Sequence, residues 1–428
     1  MKNNKNMKKI ILLKNGKNVY GQKMEILITG EKIQKIAEEI SEKEIEILGK
    51  NIEIKDLGKK LLMPGIIDIH THMRDPGITH KEDFETGSRA CAKGGITTFY
   101  DMPNTVPTTT TLKNLLLKKK EAAEKSIVNY GFHFGGSKNN NIGEIKNILK
   151  EKRANSVKIF MNVTTGEMLI EDDEILKEIF KNSKLVLVHA ENGMIDKALS
   201  LNEKYGKGVY ICHIPSKKEL IKVINGKKNR NVNNEKHPVY VEVTPHHLFL
   251  NEKIRESNDR NKMLLRMKPE LRTEKDNQFL WEALVNDDID TIGTDHAPHL
   301  IGEKLEKVTF GMPGVETSLG LMLNAYNNGK IPLEKIQKLM CENPAEIMKI
   351  VKRGKLKEGY YADIIIIDLD KEWTVKNEEC ESKCKWSPYE GWRLKGKNMM
   401  TIVNGEIIYE NGKIKDNIKK GKEVEFYE

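Results

Sequence analysis

The feature that most limits what this chain can fold into is a series of eight short apolar, β-branched segments between residues 66 and 295. They read IIDIHTH (66–72), ITTFYDM (96–102), VNYGFHF (128–134), SVKIFMN (156–162), KLVLVHA (184–190), VYICH (209–213), VYVEV (239–243) and DTIGTD (290–295). Between them lie mixed polar and apolar segments at helical spacing, such as TLKNLLLKKKEAAEK (111–125) and DDEILKEIFKN (172–182). This alternation predicts parallel strands joined by helices. Eight repeats suit a closed (β/α)8 barrel, typically about 250 residues long. A doubly wound open sheet is the competing arrangement, but no Gly-rich phosphate loop follows the first strand.

The ends of the chain read differently. Residues 1–60 carry IILLKNG, MEILITG and IEIKDLG, and residues 355–428 carry LKEGYYADIIIIDLD and MTIVNGEIIYENGK. Both are short strands punctuated by Gly, so one small β-domain built from the two termini is expected beside a barrel spanning 61–354. The run LLMPGIIDI (61–69) reads as a single buried strand, and GKKNRNVNNEKH (226–237) as a mobile polar loop.

Composition narrows the classes of function. No stretch approaches the roughly 18–20 apolar residues of a membrane span, and the IILL core of the basic N-terminus is too short for a signal peptide. A cytoplasmic protein without membrane partners is expected. The 72 basic and 63 acidic residues are spread along the chain, giving a net charge of +9. With no zinc finger, recognition helix or stacking aromatics beside basic residues, nucleic acid is not an expected partner. A mild positive field would instead help collect an anionic small molecule. Five cysteines without regular spacing predict thiols, not disulfides; Cys380 and Cys384 have no second pair.

Active sites of such barrels lie at the C-terminal ends of the strands. The first strand ends in His70 and His72, which alternation puts on one face, the fifth in His189, the sixth in His213 and the eighth in Asp295. One histidine is ordinarily a satisfied core residue, and His-x-His alone is a weak signal. Four histidines and an aspartate at strand ends predict a metal site. Lys158 lies in the fourth strand, where a lysine is costly unless paired or neutralised. A neutral amine can take up carbon dioxide as a carbamate, whose two oxygens can bridge two cations. His70, His72 and Asp295 would then hold one ion and His189 and His213 the other. Imidazole and carboxylate suit zinc, though not uniquely. Such a pair activates water and polarises an amide oxygen, with Asp295 as the proton carrier. Metal-assisted hydrolysis of an amide-like bond, or its reverse, is the expected chemistry.

The motifs HTHMRDPG, GGITTFYDMPNT, VKIFMN, VHAE, ICHI, VTPHHLFL and GTDHAPH resemble the dihydroorotases of the cyclic amidohydrolase superfamily, as do ENPAEI, GYYADIIIID and SPYEGWRLKG further on. The resemblance covers nearly the whole chain. It implies reversible closure of N-carbamoyl-L-aspartate to L-dihydroorotate in pyrimidine synthesis, with two zinc ions bridged by carboxylated Lys158. It also implies a substrate-carboxylate clamp of Arg74, Asn104 and His299, and approach of Lys268, Phe310 and Gly311 to the substrate ring. VKIFMN is similar to the lysine-bearing type found in the animal multienzyme. Glu242, His246 and His247 match that lineage too, and a supporting role behind the ligands is expected of them. Thr164 and Thr165, in VTTGEM (163–168), are lid candidates, with a plain solvated loop as the alternative.

Allantoinases and hydantoinases share the barrel and its ligands, but their substrates carry no carboxylate for Arg74 and Asn104 to hold. A non-catalytic relative that supports another pyrimidine enzyme would be expected to have lost ligands, and all six positions are present. A homo-oligomer and association with aspartate transcarbamoylase both remain open at this point.

Overall fold

The apolar run from Leu61 to Ile69 forms two strands, not the single one expected. In the computed structural model, which describes residues 9–48, 52–164, 168–231 and 237–427, Leu61–Pro64 joins an outer sheet and Ile66–Thr71 (β1) enters the barrel. Gly65 marks the division. A Cβ there would lie 2.1 Å from Thr97 Oγ1, so the chain can bend this close to the next strand only without a side chain.

The remaining barrel strands are β2 (Ile96–Asp101), β3 (Asn129–Phe132), β4 (Val157–Phe160), β5 (Val186–His189), β6 (Val209–Ile211), β7 (Val239–Val243) and β8 (Thr291–Ile292). Pairing is parallel from β1 to β3 and from β4 to β8. The third segment is interrupted: Asn129–Phe132 pairs with β2, and Phe134–Gly135 pairs with β4. A parallel bridge between Thr71 and His296 closes the ring. All residues of β1 through β6 are buried. Strands covered on both faces by helices and core have this continuous apolar character.

Two of the barrel helices begin where their sequences provide caps. Thr111 accepts from Asn114 N at the start of Leu112–Lys125, and Asp172 accepts from Glu174 N and Ile175 N at the start of Asp173–Asn182. Each cap satisfies N–H groups that the first turn leaves unpaired. Leu115 and Ala122 of one helix and Leu176, Ile179 and Phe180 of the other face the core. Truncating a buried Phe180 to alanine would cost about 3–5 kcal/mol.

Among the described residues the outer sheet has nine strands, drawn from both ends of the chain. Ile10–Lys17 lies between Lys23–Thr29 and the parallel strand Ile52–Asp56, and also touches Leu61–Pro64 at Lys17. Ile364–Thr374 runs antiparallel to Leu61–Pro64 and is followed by Arg393–Val403 and Glu406–Glu410. Ile11, Ile26, Leu62, Ile364 and Ile402 share its core. A helix, Glu42–Leu48, stands where only strands were expected. The last described residues return beneath the barrel, where Val424 N donates to Tyr130 O at 2.9 Å.

The expected loop at 226–237 is a correction. The helix Lys217–Asn231 runs through its first half, because Val223 is buried and Gly226 packs against Leu199. Its polarity marked a solvated helix face. Residues 232–236 lie outside the described residues. Among the described residues no helix is long and apolar enough to cross a membrane, and the five cysteines are free thiols.

Candidate metal and substrate site

The strand ends deliver His70, His72, Lys158, His189, His213 and Asp295 to one cavity. Asp295 Oδ1 lies 3.3 Å from His70 Nε2 and 3.1 Å from His72 Nε2. His189 Nδ1 and His213 Nε2 are 2.9 Å apart. Both features follow from strand geometry: alternation puts His70 and His72 on one face, and neighbouring parallel strands put His189 beside His213.

Backbone strain also aims these side chains. Arg74, His213 and Asp295 have φ of 62°, 38° and 46°, a left-handed region that non-glycine residues rarely adopt. Strained residues of this kind cluster at functional sites.

Behind His70 stands Glu242. Its Oε1 accepts from His70 Nδ1 at 2.7 Å and from His213 N at 2.9 Å, and its Oε2 accepts from Tyr210 Oη at 2.7 Å. Asp68 accepts from Thr294 Oγ1 at 2.6 Å and from His70 N at 3.1 Å, so it ties β1 to the chain beyond β8. Burial raises Asp68 to about 6 against those hydrogen bonds. Asp68 was not singled out in the sequence, although its i,i+2 spacing from His70 was a usable signal. His246 and His247 are buried beside each other, and His247 bonds Thr244 Oγ1 and Pro269 O.

The electrostatics are those of a cation site. Burial pushes His189 down and His213 well down, and brings His72 to about 4, so these rings are neutral and keep a lone pair. Burial also opposes charge on His70, but Glu242 and Asp295 on its two sides outweigh it and raise its pKa well above the ordinary value. Burial would raise Asp295, yet His70 beside it holds it well below the usual carboxylate range. The donor atoms of His70, His213 and Asp295 all lie within 4.8 Å of one another, and those of His70, Cys212 and Glu242 do the same. Among the described residues His213 Nδ1 is buried with no hydrogen-bond partner, which is costly in a native interior unless another group occupies it. The donor chemistry and this orphaned nitrogen fit a metal.

Lys158 is fully buried, with its Nζ 2.9 Å from Cys212 Sγ and 5.1 Å from the Phe160 ring centre. No carboxylate pairs with it among the described residues. Arg74 is also buried and lines the cavity. Its Nε donates to Pro298 O at 3.3 Å, and burial brings its pKa down to about 10. Arg74 does not pair with its neighbour Asp75, which pairs with Lys125 at 2.8 Å.

Asn104 lines the cavity too, with Oδ1 accepting from His72 Nδ1 at 2.7 Å. His299 stands behind the wall. Its Nε2 donates to Phe310 O at 3.1 Å, its Nδ1 accepts from Lys81 Nζ at 3.1 Å, and Arg74 Nη2 is 3.3 Å away. Lys268, Phe310 and Gly311 line the cavity, as does Thr164. Thr165 lies outside the described residues.

The model of the amidohydrolase family matches residues 61–408. The chain is 37% identical over 390 residues to a dihydroorotase of Pyrococcus abyssi, covering 86% of this chain and 88% of the relative. It is 34% identical to the multifunctional protein CAD of Squalus acanthias, covering 83% of this chain but 15% of that protein. Among solved structures, an L-hydantoinase from Arthrobacter aurescens superimposes with a TM-score of 0.88 at 28% identity, over 97% of this chain and 99% of that one.

Proposed function

The chain belongs to the amidohydrolase family and, within it, to the dihydroorotases, and from that membership we propose how its barrel mouth works. It is a metal-dependent cyclic amidohydrolase of pyrimidine synthesis acting on a small molecule, and it closes N-carbamoyl-L-aspartate to L-dihydroorotate and reopens the ring. His70, His72 and Asp295 would hold one zinc ion and His189 and His213 a second, and Lys158, if its amine takes up carbon dioxide with loss of one proton, would supply a carbamate as a further anionic ligand.

Bound cations supply Lewis-acid polarisation of the amide oxygen and acidify a water. The chain's own residues do the rest. Asp295 takes up the water's proton at Oδ2, the oxygen not engaged by His70 and His72, and hands it to the leaving ring nitrogen. In the closing direction the proton moves the other way. Arg74 pairs with the substrate carboxylate, and Asn104 and His299 complete the clamp with their hydrogen bonds. Lys268, Phe310 and Gly311 bound the ring. Residues 61–354 form the catalytic unit and residues 1–60 with 355–428 the β-unit beside it. The reading extends to a cytoplasmic setting and to either a homo-oligomer or an assembly with aspartate transcarbamoylase.

One observation carries the choice of substrate: Arg74 is a buried cation on the cavity wall with no carboxylate partner among the described residues. A charge so placed is costly until an anion meets it. Hydantoin and allantoin rings bring none. The test is purified protein with L-dihydroorotate, allantoin and hydantoin in parallel, following ring opening by ultraviolet absorbance. Turnover confined to dihydroorotate is expected. Activity only on the other rings would overturn the substrate and keep the metal chemistry.

A further inference from the structure

Lys304 stands on the short helix Ile301–Glu306, in a stretch, EKLEK, that reads as surface. It is fully buried. Its Nζ donates to three main-chain carbonyls, Arg266 at 2.7 Å, Thr309 at 3.2 Å and Gly311 at 3.0 Å. The Arg266 carbonyl also accepts from Gly311 N at 3.0 Å. One ammonium thus gathers two loops that wall the cavity: the one leading to Lys268 and the one carrying Phe310 and Gly311.

We propose that Lys304 is a positioning residue for substrate binding, its ammonium fastening these two loops together and its loss of a proton loosening the wall they form. The proposal rests on this cavity being the substrate site. The stoichiometry is direct: an ammonium has three N–H donors for the three carbonyls, and a neutral amine has two. Deprotonation therefore strands one buried carbonyl and weakens the other two bonds, which lose their charge assistance. The loops also matter beyond themselves, since Phe310 O accepts from His299 Nε2, and Lys268 Nζ sits 5.4 Å from the Phe310 ring centre.

The surroundings favour proton loss near neutrality. Burial, with the cations Arg266 and Arg74, brings Lys304 down to about 7. Glu303, on the same helix, is turned to His80 and Lys81. The neighbouring helix Asp259–Leu264 keeps Asp259, Arg260 and Lys262 exposed. His299, at about 2 through burial and the cations around it, and Arg74, at about 10, do not change charge in this range.

The experiment is steady-state kinetics of the full chain with L-dihydroorotate from pH 6 to 9, for wild type, Lys304→Met and Lys304→Arg, with melting curves to verify folding. In the wild type KM is expected to rise about tenfold through one ionisation near neutrality, the scale of one lost charge-assisted hydrogen bond, while kcat changes less. Lys304→Met should show the high KM already at pH 6 and no longer respond to pH. Lys304→Arg, which stays charged, should hold a low KM across the range. A flat wild-type KM, or a folded Met variant with the wild-type pH response, overturns the proposal. Amide hydrogen exchange of residues 265–268 and 309–311 needs no substrate, and so separates this idea from the substrate assignment. Extra exchange above neutral pH in the wild type, absent from the variants, upholds the role of Lys304 even if dihydroorotate is not turned over. Unchanged protection with turnover intact overturns the role of Lys304 alone.

Discussion

Glu242 Oε1 accepts a 2.7 Å hydrogen bond from His70 Nδ1, which leaves His70 Nε2 as the nitrogen facing Asp295. The same carboxylate oxygen accepts from His213 N, so Glu242 orients two of the histidines expected to bind metal. Carboxylate partners of this kind fix the tautomer of a ligating imidazole and raise its basicity. Glu242→Gln should therefore weaken metal affinity by about 10–100-fold, measured by chelator competition at constant pH. Unchanged affinity would mean that His70 needs no such support.

Asp295→Asn keeps the shape of the side chain and removes its basicity. Turnover in both directions should fall to background while the circular dichroism spectrum and melting temperature stay near those of the wild type. A folded, active variant would remove Asp295 from proton transfer.

Lys158 is buried, with the Cys212 thiol 2.9 Å from its Nζ. Lys158→Ala should lose bound metal and activity together. Small carboxylic acids should restore part of both by standing in for the carbamate. Full metal content and normal rates in the variant would exclude a bridging role.

Arg74→Met preserves bulk and removes the cation. The expected loss in kcat/KM for dihydroorotate is about 100-fold, or roughly 3 kcal/mol, the scale of truncating one partner of a buried charge pair. The check is whether the loss is confined to substrates with a ring carboxylate. An equal loss on hydantoin would mean that Arg74 acts on the fold.

Lys118 and Asp101 form a fully buried ion pair at 2.5 Å, and Asp101 Oδ1 accepts from Met73 N at 2.6 Å, next to Arg74. Removing one partner leaves the other charge stranded in the interior. Lys118→Met should cost about 3–5 kcal/mol of stability, read from the urea midpoint. A neutral effect would indicate that Asp101 takes up a proton at little cost.

The barrel was legible because its strands are near-continuous β-branched runs, and because the chemistry is written at their ends. That His70, His72, His189, His213 and Asp295 would converge on one cavity needed only the rule that active sites sit at strand C-termini. Other features depend on distances that no local pattern carries. His299 lies behind Arg74 because Phe310 O and Lys81 hold its two nitrogens, and these partners are remote in sequence from each other. The break at Gly65 follows from the approach of Thr97. Lys304 sits in a charged stretch whose burial is set by loops at 266 and 309–311. The helix through Gly226 reads as a loop in the sequence because a polar face and a polar linker have the same composition.

The pairing of Leu61–Pro64 with Ile364–Ile367 has a consequence for the protein's birth on the ribosome. The strand that leads into His70 and His72 is made early, yet its neighbour in the outer sheet emerges some three hundred residues later, and Val424 reaches Tyr130 later still. Until then the edge of Leu61–Pro64 that Ile364–Ile367 will cover is open to other extended chains. A nascent chain stalled before residue 364 would carry the histidines without the sheet that braces them. Products truncated before residue 364 should therefore be rich in sticky edges.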